Sequence, residues 1–146
     1  MVSPFSNLII LLFVIHIVIT CDANIFQAKR TYIKIVNGNN TPLTVHCKSK
    51  NEDLGFHYLG QLEDYRFNFR TNLLGMTNAL YFCRMMWNNN CHYFVIYDQI
   101  RDEKQGNNFC YVITPKGPCK CNCPILETCQ TYDRNICFDW NKDACK

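Results

Sequence analysis

The sequence predicts an all-β fold: a small antiparallel β-sandwich of about seven or eight strands, followed by a disulfide-rich C-terminal extension. Three observations lead there. Apolar residues recur with a period of two from Thr31 onward, and no stretch keeps a helical period. Turn-forming clusters, "NGNNTP", "KNEDLG", "NLLGMTN", "NNN", "DEKQGNN" and "PKGP", punctuate the apolar runs. The 11 cysteines sit in a chain of 146 residues that opens on an apolar leader, the pattern of an exported, oxidised protein.

The leader comes first. "NLIILLFVIHIVIT" carries an apolar run from Leu8 to Ile19, interrupted only by His16. That is shorter than the ~20 apolar residues a membrane span needs. Residues 1–23 read as a secretory signal peptide, cleaved after Cys21 or Ala23, although its first residues hold no Lys or Arg. Either cut removes Cys21. Ten cysteines then remain: Cys47, Cys83, Cys91, Cys110, Cys119, Cys121, Cys123, Cys129, Cys137 and Cys145. An even number in an exported chain predicts that all of them form disulfides. Cleavage after Ala23 also removes Asp22 and raises the net charge from +3 to +4. The Lys and Arg residues are scattered, with no run of three, which argues against a nucleic-acid groove or a polybasic membrane patch. No nucleic acid partner and no stable membrane insertion after leader removal are expected.

The strands follow in order. "TYIKIVN" sets Ile33 and Ile35 on one face. "LTVHCKS" sets Leu43, Val45 and Cys47 against Thr44, His46 and Lys48. "YRFNFR" opposes Tyr65, Phe67 and Phe69 to Arg66, Asn68 and Arg70. "ALYFCRMMW" and "HYFVIYD" are more continuously apolar, as central strands are, and "FCYVIT" is a short last strand. Aromatic residues, 14% of the chain, are bulky enough to fill the core of a domain spanning 31–117. Past Lys116 the composition changes. Residues 118–146 hold six cysteines and few aliphatic residues, too little to build a core of their own, so this extension needs crosslinks and a surface to dock on. The spacing does not reveal its disulfide connectivity.

His46 and Cys47 stand side by side, and that raises the question of thiol chemistry. Neighbours on a strand point to opposite faces, so His46 faces away from the sulfur of Cys47. Cys47 is predicted to be a disulfide partner, and His46→Ala is expected to be nearly neutral for stability because the ring faces outward. "CKCNC" and "CPILETC" lack the repeated pair spacing of zinc sites, and no metal or other cofactor is expected. A secreted ribonuclease needs two histidines and a cation, but His46, His57 and His92 leave the last third of the chain without a histidine, and no "HGLW"-type segment occurs. Gly-rich phosphate loops, G-x-S-x-G and H-E-x-x-H are absent. No catalytic residue is assigned. Asn39-Asn40-Thr41 offers one N-glycosylation sequon, with Pro42 directly after it.

These residues carry a resemblance. "LTVHCKSKNEDLGFHYL", "YRFNF", "GMTNALYFCRMMW", "YFVIYDQIRD" and "NNFCYVITPKG" together, in this order, resemble the plant self-incompatibility S1 family, the S-protein homologues, from about Thr31 to Gly117. The chain departs from the family in four places. Asn107 stands where the family usually has a cysteine, Cys91 is extra, Tyr111 replaces a tryptophan, and the Cys-rich tail is an addition. One reading gives Cys91 the missing cysteine's role, with its partner left open.

The resemblance implies a secreted β-sandwich that is not an enzyme. Its best-understood members are pistil ligands that self pollen recognises through a membrane protein. The function expected is therefore a secreted recognition ligand for a cell-surface receptor protein. Its contact loops are expected at Asn51, Glu52 and Asp53 and at Asn88, Asn89 and Asn90. The rivals are a membrane-active defence protein, a small ribonuclease and a structural wall protein.

Overall fold

The computed structural model describes residues 4–25, 29–71, 78–121, 136–140 and 145. An N-terminal helix α1 (Pro4–Ile25) precedes eight strands: β1 (Arg30–Asn37), β2 (Leu43–Lys48), β3 (Asp53–Leu59), β4 (Asp64–Arg70), β5 (Leu80–Trp87), β6 (Asn90–Asp98), β7 (Asn108–Thr114) and β8 (Gly117–Cys121). A single turn α2 (Gln99–Asp102) lies between β6 and β7. The described side chains of α1 contribute nothing to the core, and its large apolar ones, from Phe5 to Ile17, are exposed. Among the described residues no helix is long and apolar enough to cross a membrane.

The strands form two four-stranded sheets, one in the order β4-β1-β7-β8 and the other β3-β2-β5-β6. All pairings are antiparallel except β1 with β7, which is parallel. The predicted sandwich therefore forms, with one parallel junction that alternation cannot foretell. Two strands fall where the sequence suggested turns. In β3, Gly55 at φ 74° and the charged Asp53 interrupt the apolar signal. In β8, Pro118 disguises the strand, yet β8 is an edge strand, where proline is tolerated.

The inward faces meet in a core of Ile33, Ile35, Leu43, Val45, Met85, Ile96 and Ile113, laced with rings. Phe69 stacks on Tyr81 at 4.3 Å and meets Tyr97 edge-on at 4.9 Å. Such pairs add about 0.5–1.5 kcal/mol each beyond burial. Cys47 and Cys83, directly opposite on β2 and β5 and both 0% exposed, are joined through the middle of this core. The "RD" of the family-like stretch serves the fold. Asp102, 1% exposed, takes two hydrogen bonds from Arg101 and one from the backbone N–H of Asp98, fixing the turn after β6.

Asn37 closes the end of β1. Its side-chain amide, 0% exposed, donates to the carbonyls of Thr41, Leu59 and Gly60 at 2.9–3.1 Å, and its Oδ1 accepts from the N–H of Asn39. One side chain thus ties the β1–β2 loop to the β3–β4 loop. Asn37→Ala strands buried backbone groups and is expected to cost about 3 kcal/mol. Chemical denaturation of the oxidised protein should show that loss. An unchanged midpoint would contradict the role.

The tail straps one side of the sandwich. Ile136–Phe138 lie along β8: the N–H of Lys120 donates to the Ile136 carbonyl at 2.8 Å and that of Phe138 to the Pro118 carbonyl at 2.9 Å. Cys119–Cys137 locks this contact. Trp140 stacks on His92 at 4.9 Å and lies 5.5 Å from Trp87, and its Nε1 donates to the Thr114 and Pro115 carbonyls. Cys145 is bonded to Cys91 on β6. The strap therefore runs from edge strand β8 of one sheet to edge strand β6 of the other. Covering such edges protects them from pairing with other chains. This corrects the reading of Cys91 as a stand-in for the missing family cysteine, because its partner is a cysteine of the added tail. Cys110 and Cys121 are also disulfide-bonded, so all eight described cysteines outside the leader are oxidised. Cys123 and Cys129 lie outside the described residues.

Candidate functional site

Antiparallel sheets that face water on one side are normally polar on that side. The outer face of β3-β2-β5-β6 is not. Register places Tyr58, Thr44, Met86 and Cys91 in one row across the four strands. Phe56, His46, Arg84 and Tyr93 form the next, and Lys48, Phe82 and Val95 the third. Tyr58 is 77% exposed, Phe56 52% and Val95 36%. His46, Lys48, Arg84 and Asp53 share a shallow concavity of about 690 Å³ with Phe56, Phe82 and Tyr93.

Polar groups fix the shape of this face. His46 points away from the core, as alternation requires, yet it is only 8% exposed. The Phe56 ring covers it at 4.0 Å, and its Nε2 lies 2.6 Å from Asp53 Oδ1. The expected neutrality of His46→Ala therefore gives way to a loss of about 1 kcal/mol. Lys48 Nζ lies 2.9 Å from Asp53 Oδ2, and the N–H of Gly55 donates to the same carboxylate at 3.0 Å. That turn uses the left-handed backbone of Gly55, which glycine adopts freely. Lys48, the Gly55 N–H and His46 hold the Asp53 carboxyl well below its usual value of 3.8. Arg84 donates from Nε to Cys91 Sγ at 3.1 Å, so the disulfide that anchors the tail also orients the guanidinium.

A depressed carboxyl pKa stabilises the fold fully above its unfolded value, and that stabilisation is lost as pH falls toward the folded one. Stability is therefore expected to drop below about pH 4 through Asp53. Asp53→Asn should flatten that part of the profile. Denaturation midpoints measured from pH 5 down to pH 2 test it, and identical slopes for the two proteins would refute it.

The two predicted contact loops bracket this face without meeting. The loop from Ser49 to Asp53 lies beside the Phe82 end, and the Asn88–Asn90 turn closes the Met86 end. The first loop is tied down. Ser49 Oγ accepts from the N–H groups of Asn51 and Glu52, and the Glu52 carboxylate accepts from the Tyr81 hydroxyl at 2.9 Å. Burial and that bond push the Tyr81 phenol up to about 12. Asn88 adopts φ 49°, which asparagine tolerates, and Asn88, Asn89 and Asn90 are all exposed. Sequence reading missed the aromatic face between the loops. Its rows exist only through register, although the outward Phe82, Met86 and Tyr93 were a signal.

The other candidate groups are placed apart. The Cys47 sulfur is locked in its disulfide. His57 stacks on Tyr65 at 3.6 Å with a nitrogen 2.9 Å from the Leu54 carbonyl, and His92 lies beneath Trp140. Among the described residues no cluster of three or more His, Cys, Asp or Glu is placed to hold a metal ion. Asn39 is 2% exposed, and neither atom of its amide has a hydrogen-bond partner. Its nitrogen is thus accessible to a glycosyl transferase only before the β1–β2 loop closes.

Fold and site define a disulfide-braced β-sandwich with an aromatic outer face. The family described as plant self-incompatibility protein S1 matches residues 32–140, and the chain belongs to it. That match runs past Gly117 into the strap, beyond the boundary the resemblance suggested. The chain is 32% identical to S-protein homolog 19 of Arabidopsis thaliana, over 86% of this chain and 92% of that protein. It is 35% identical to S-protein homolog 2 of Arabidopsis thaliana, over 82% of this chain and 73% of that one. S-protein homolog 5 of the same plant is 42% identical over 54% of this chain and 60% of its own. No solved structure matches the chain significantly.

Proposed function

We propose that the chain is a secreted, non-catalytic recognition ligand that binds a protein partner at a cell surface, with the outer face of β3-β2-β5-β6 as its contact. Residues 1–23 act as the cleaved leader. The observation that carries this reading is the composition of that face. Phe56, Phe82 and Tyr93 line one concavity with Arg84, and Tyr58 and Met86 stand in the adjoining row of the same face. Aromatic residues, methionine and arginine are the side chains enriched at protein interfaces and among their energetic hot spots. The disulfides and the tied loops keep the surface rigid, which lowers the entropy cost of binding. Asn51 and Asn88–Asn90 supply a polar rim at its two ends.

The purified, oxidised protein is expected to bind membranes of one cell type saturably. Arg84→Ala combined with Phe56→Ala should weaken that binding at least tenfold, because truncating buried Arg or aromatic anchors costs ~2 kcal/mol or more. Disulfide content and circular dichroism should stay unchanged. Equal binding by the double variant, capture of nothing but lipid or carbohydrate, or RNA cleavage at a catalytic rate would overturn the proposal.

A further inference from the structure

The opposite sheet carries a second surface. On the outer face of β1 and β4, register pairs Arg30 with Arg70 and Lys34 with Arg66. Like charges directly opposite each other on adjacent strands are destabilising, so two such pairs on one face oppose the fold rather than support it. The cations are dispersed in sequence, and only the antiparallel register assembles them. Among the described residues Asp64 is the acid that offsets them: it lies 3.6 Å from Lys34 Nζ and accepts from Arg66 Nε at 2.5 Å and Nη2 at 3.1 Å. Among the described residues, neither guanidinium of Arg30 and Arg70 has an ion-pair partner. This face thus holds three of the net positive charges of a chain whose total is +3.

Between the two cationic rows lies a different chemistry. Tyr32, 46% exposed, sits opposite Asn68 on β4 and Asn108 on β7, in a shallow groove of about 430 Å³. The cationic pairs stand four residues apart along β1, about 13 Å. A ring to stack on, two amides to meet hydroxyls, and cations at both ends describe a site for an extended anionic sugar chain.

We propose that this face binds a carboxylate-bearing polysaccharide, a polyuronate chain. Its sugar ring stacks on Tyr32, its hydroxyls meet Asn68 and Asn108, and its carboxylates pair with Arg30, Arg66 and Arg70. A membrane surface fits less well, because Tyr32 is the one large exposed apolar side chain on this face among the described residues and offers little to insert. A single-stranded nucleic acid calls for successive stacking rings, and the face has one. The site lies on the other sheet from the proposed receptor contact and is independent of it. The protein would be held in an acidic matrix by one face while the other stays open to its partner.

The test uses the oxidised mature chain with polygalacturonate of defined length, alongside the same polymer fully methyl-esterified. Calorimetry should give saturable binding to the acid form, weakening as salt rises from 0.05 to about 0.3 M, and no binding to the ester. Arg66→Gln with Arg70→Gln should weaken binding about tenfold. Tyr32→Ala, which leaves the charge unchanged, should weaken it about fivefold or more, a loss that simple ion exchange would not show. Arg84→Ala with Phe56→Ala should bind the polymer normally, which separates failure here from failure of the receptor reading. Equal binding to the ester, no effect of Tyr32→Ala, or tighter binding to anionic vesicles or single-stranded DNA would overturn the proposal.

Discussion

Cys47→Ser is expected to leave little folded or secreted protein. Both sulfurs of the Cys47–Cys83 bridge are 0% exposed, and the bridge joins the two central strands of one sheet across 36 residues. Closing a loop of that size stabilises by about 3–4 kcal/mol in the chain-entropy account. The substitution also buries a hydroxyl and an unpaired thiol among Val45, Met85 and the core rings, at a further cost of about 1–3 kcal/mol. Together these approach the whole stability of a small domain, about 5–15 kcal/mol. Yield of secreted protein and the urea midpoint of any that is recovered are the readouts. Wild-type yield and midpoint would contradict the structural role. A fully folded Cys47→Ser protein that had lost a hydrolytic activity would reopen the thiol-enzyme reading.

Gly117→Ala is expected to peel the strap from the sandwich. A Cβ at this position would stand 1.7 Å from the Phe138 carbonyl oxygen and 2.9 Å from its carbon, both backbone atoms with no flexible end to move aside. Relief requires Phe138 to leave β8, which breaks its hydrogen bond to Pro118 and withdraws Trp140 from Trp87 and His92. The Cys119–Cys137 and Cys91–Cys145 bridges keep the segment tethered, so the sandwich should survive. The expected signature is a loss of about 3 kcal/mol, red-shifted fluorescence from the 2 tryptophans and rapid proteolysis of the tail. Wild-type fluorescence together with wild-type protease resistance would sink this account. Losing the strap would also expose the β8 and β6 edges, so self-association at high concentration is the accompanying observable.

The alternation of Ile33 with Ile35, of Val45 with Cys47 and of Phe67 with Phe69 was enough to predict half-buried strands and hence the sandwich. Period-two burial is a property of each strand alone. Cysteine parity likewise pointed to an oxidised framework without any geometry. The poverty of apolar residues after Lys116 foretold a tail that must dock. Two strands escaped this reading because a bulge glycine in one and a proline in the other erase the local signal while edge geometry tolerates both. Register and sheet order were beyond the sequence, because they arise from the joint packing of distant segments. They alone set Arg84 beside His46 and Phe56, Arg30 opposite Arg70, and Cys91 within reach of Cys145. They also buried a histidine that alternation had turned outward, since the neighbour that covers it, Phe56, belongs to a strand the sequence did not announce. The sequence by itself thus pointed to the residues that line the core and to the oxidised state of the eight described cysteines outside the leader, both consequences of local period and composition. The loops at Asn51 and Asn88–Asn90 were legible as turns, but the two outer faces they border were decided by tertiary structure, because a face is assembled across strands and only their pairing says which side chains share it.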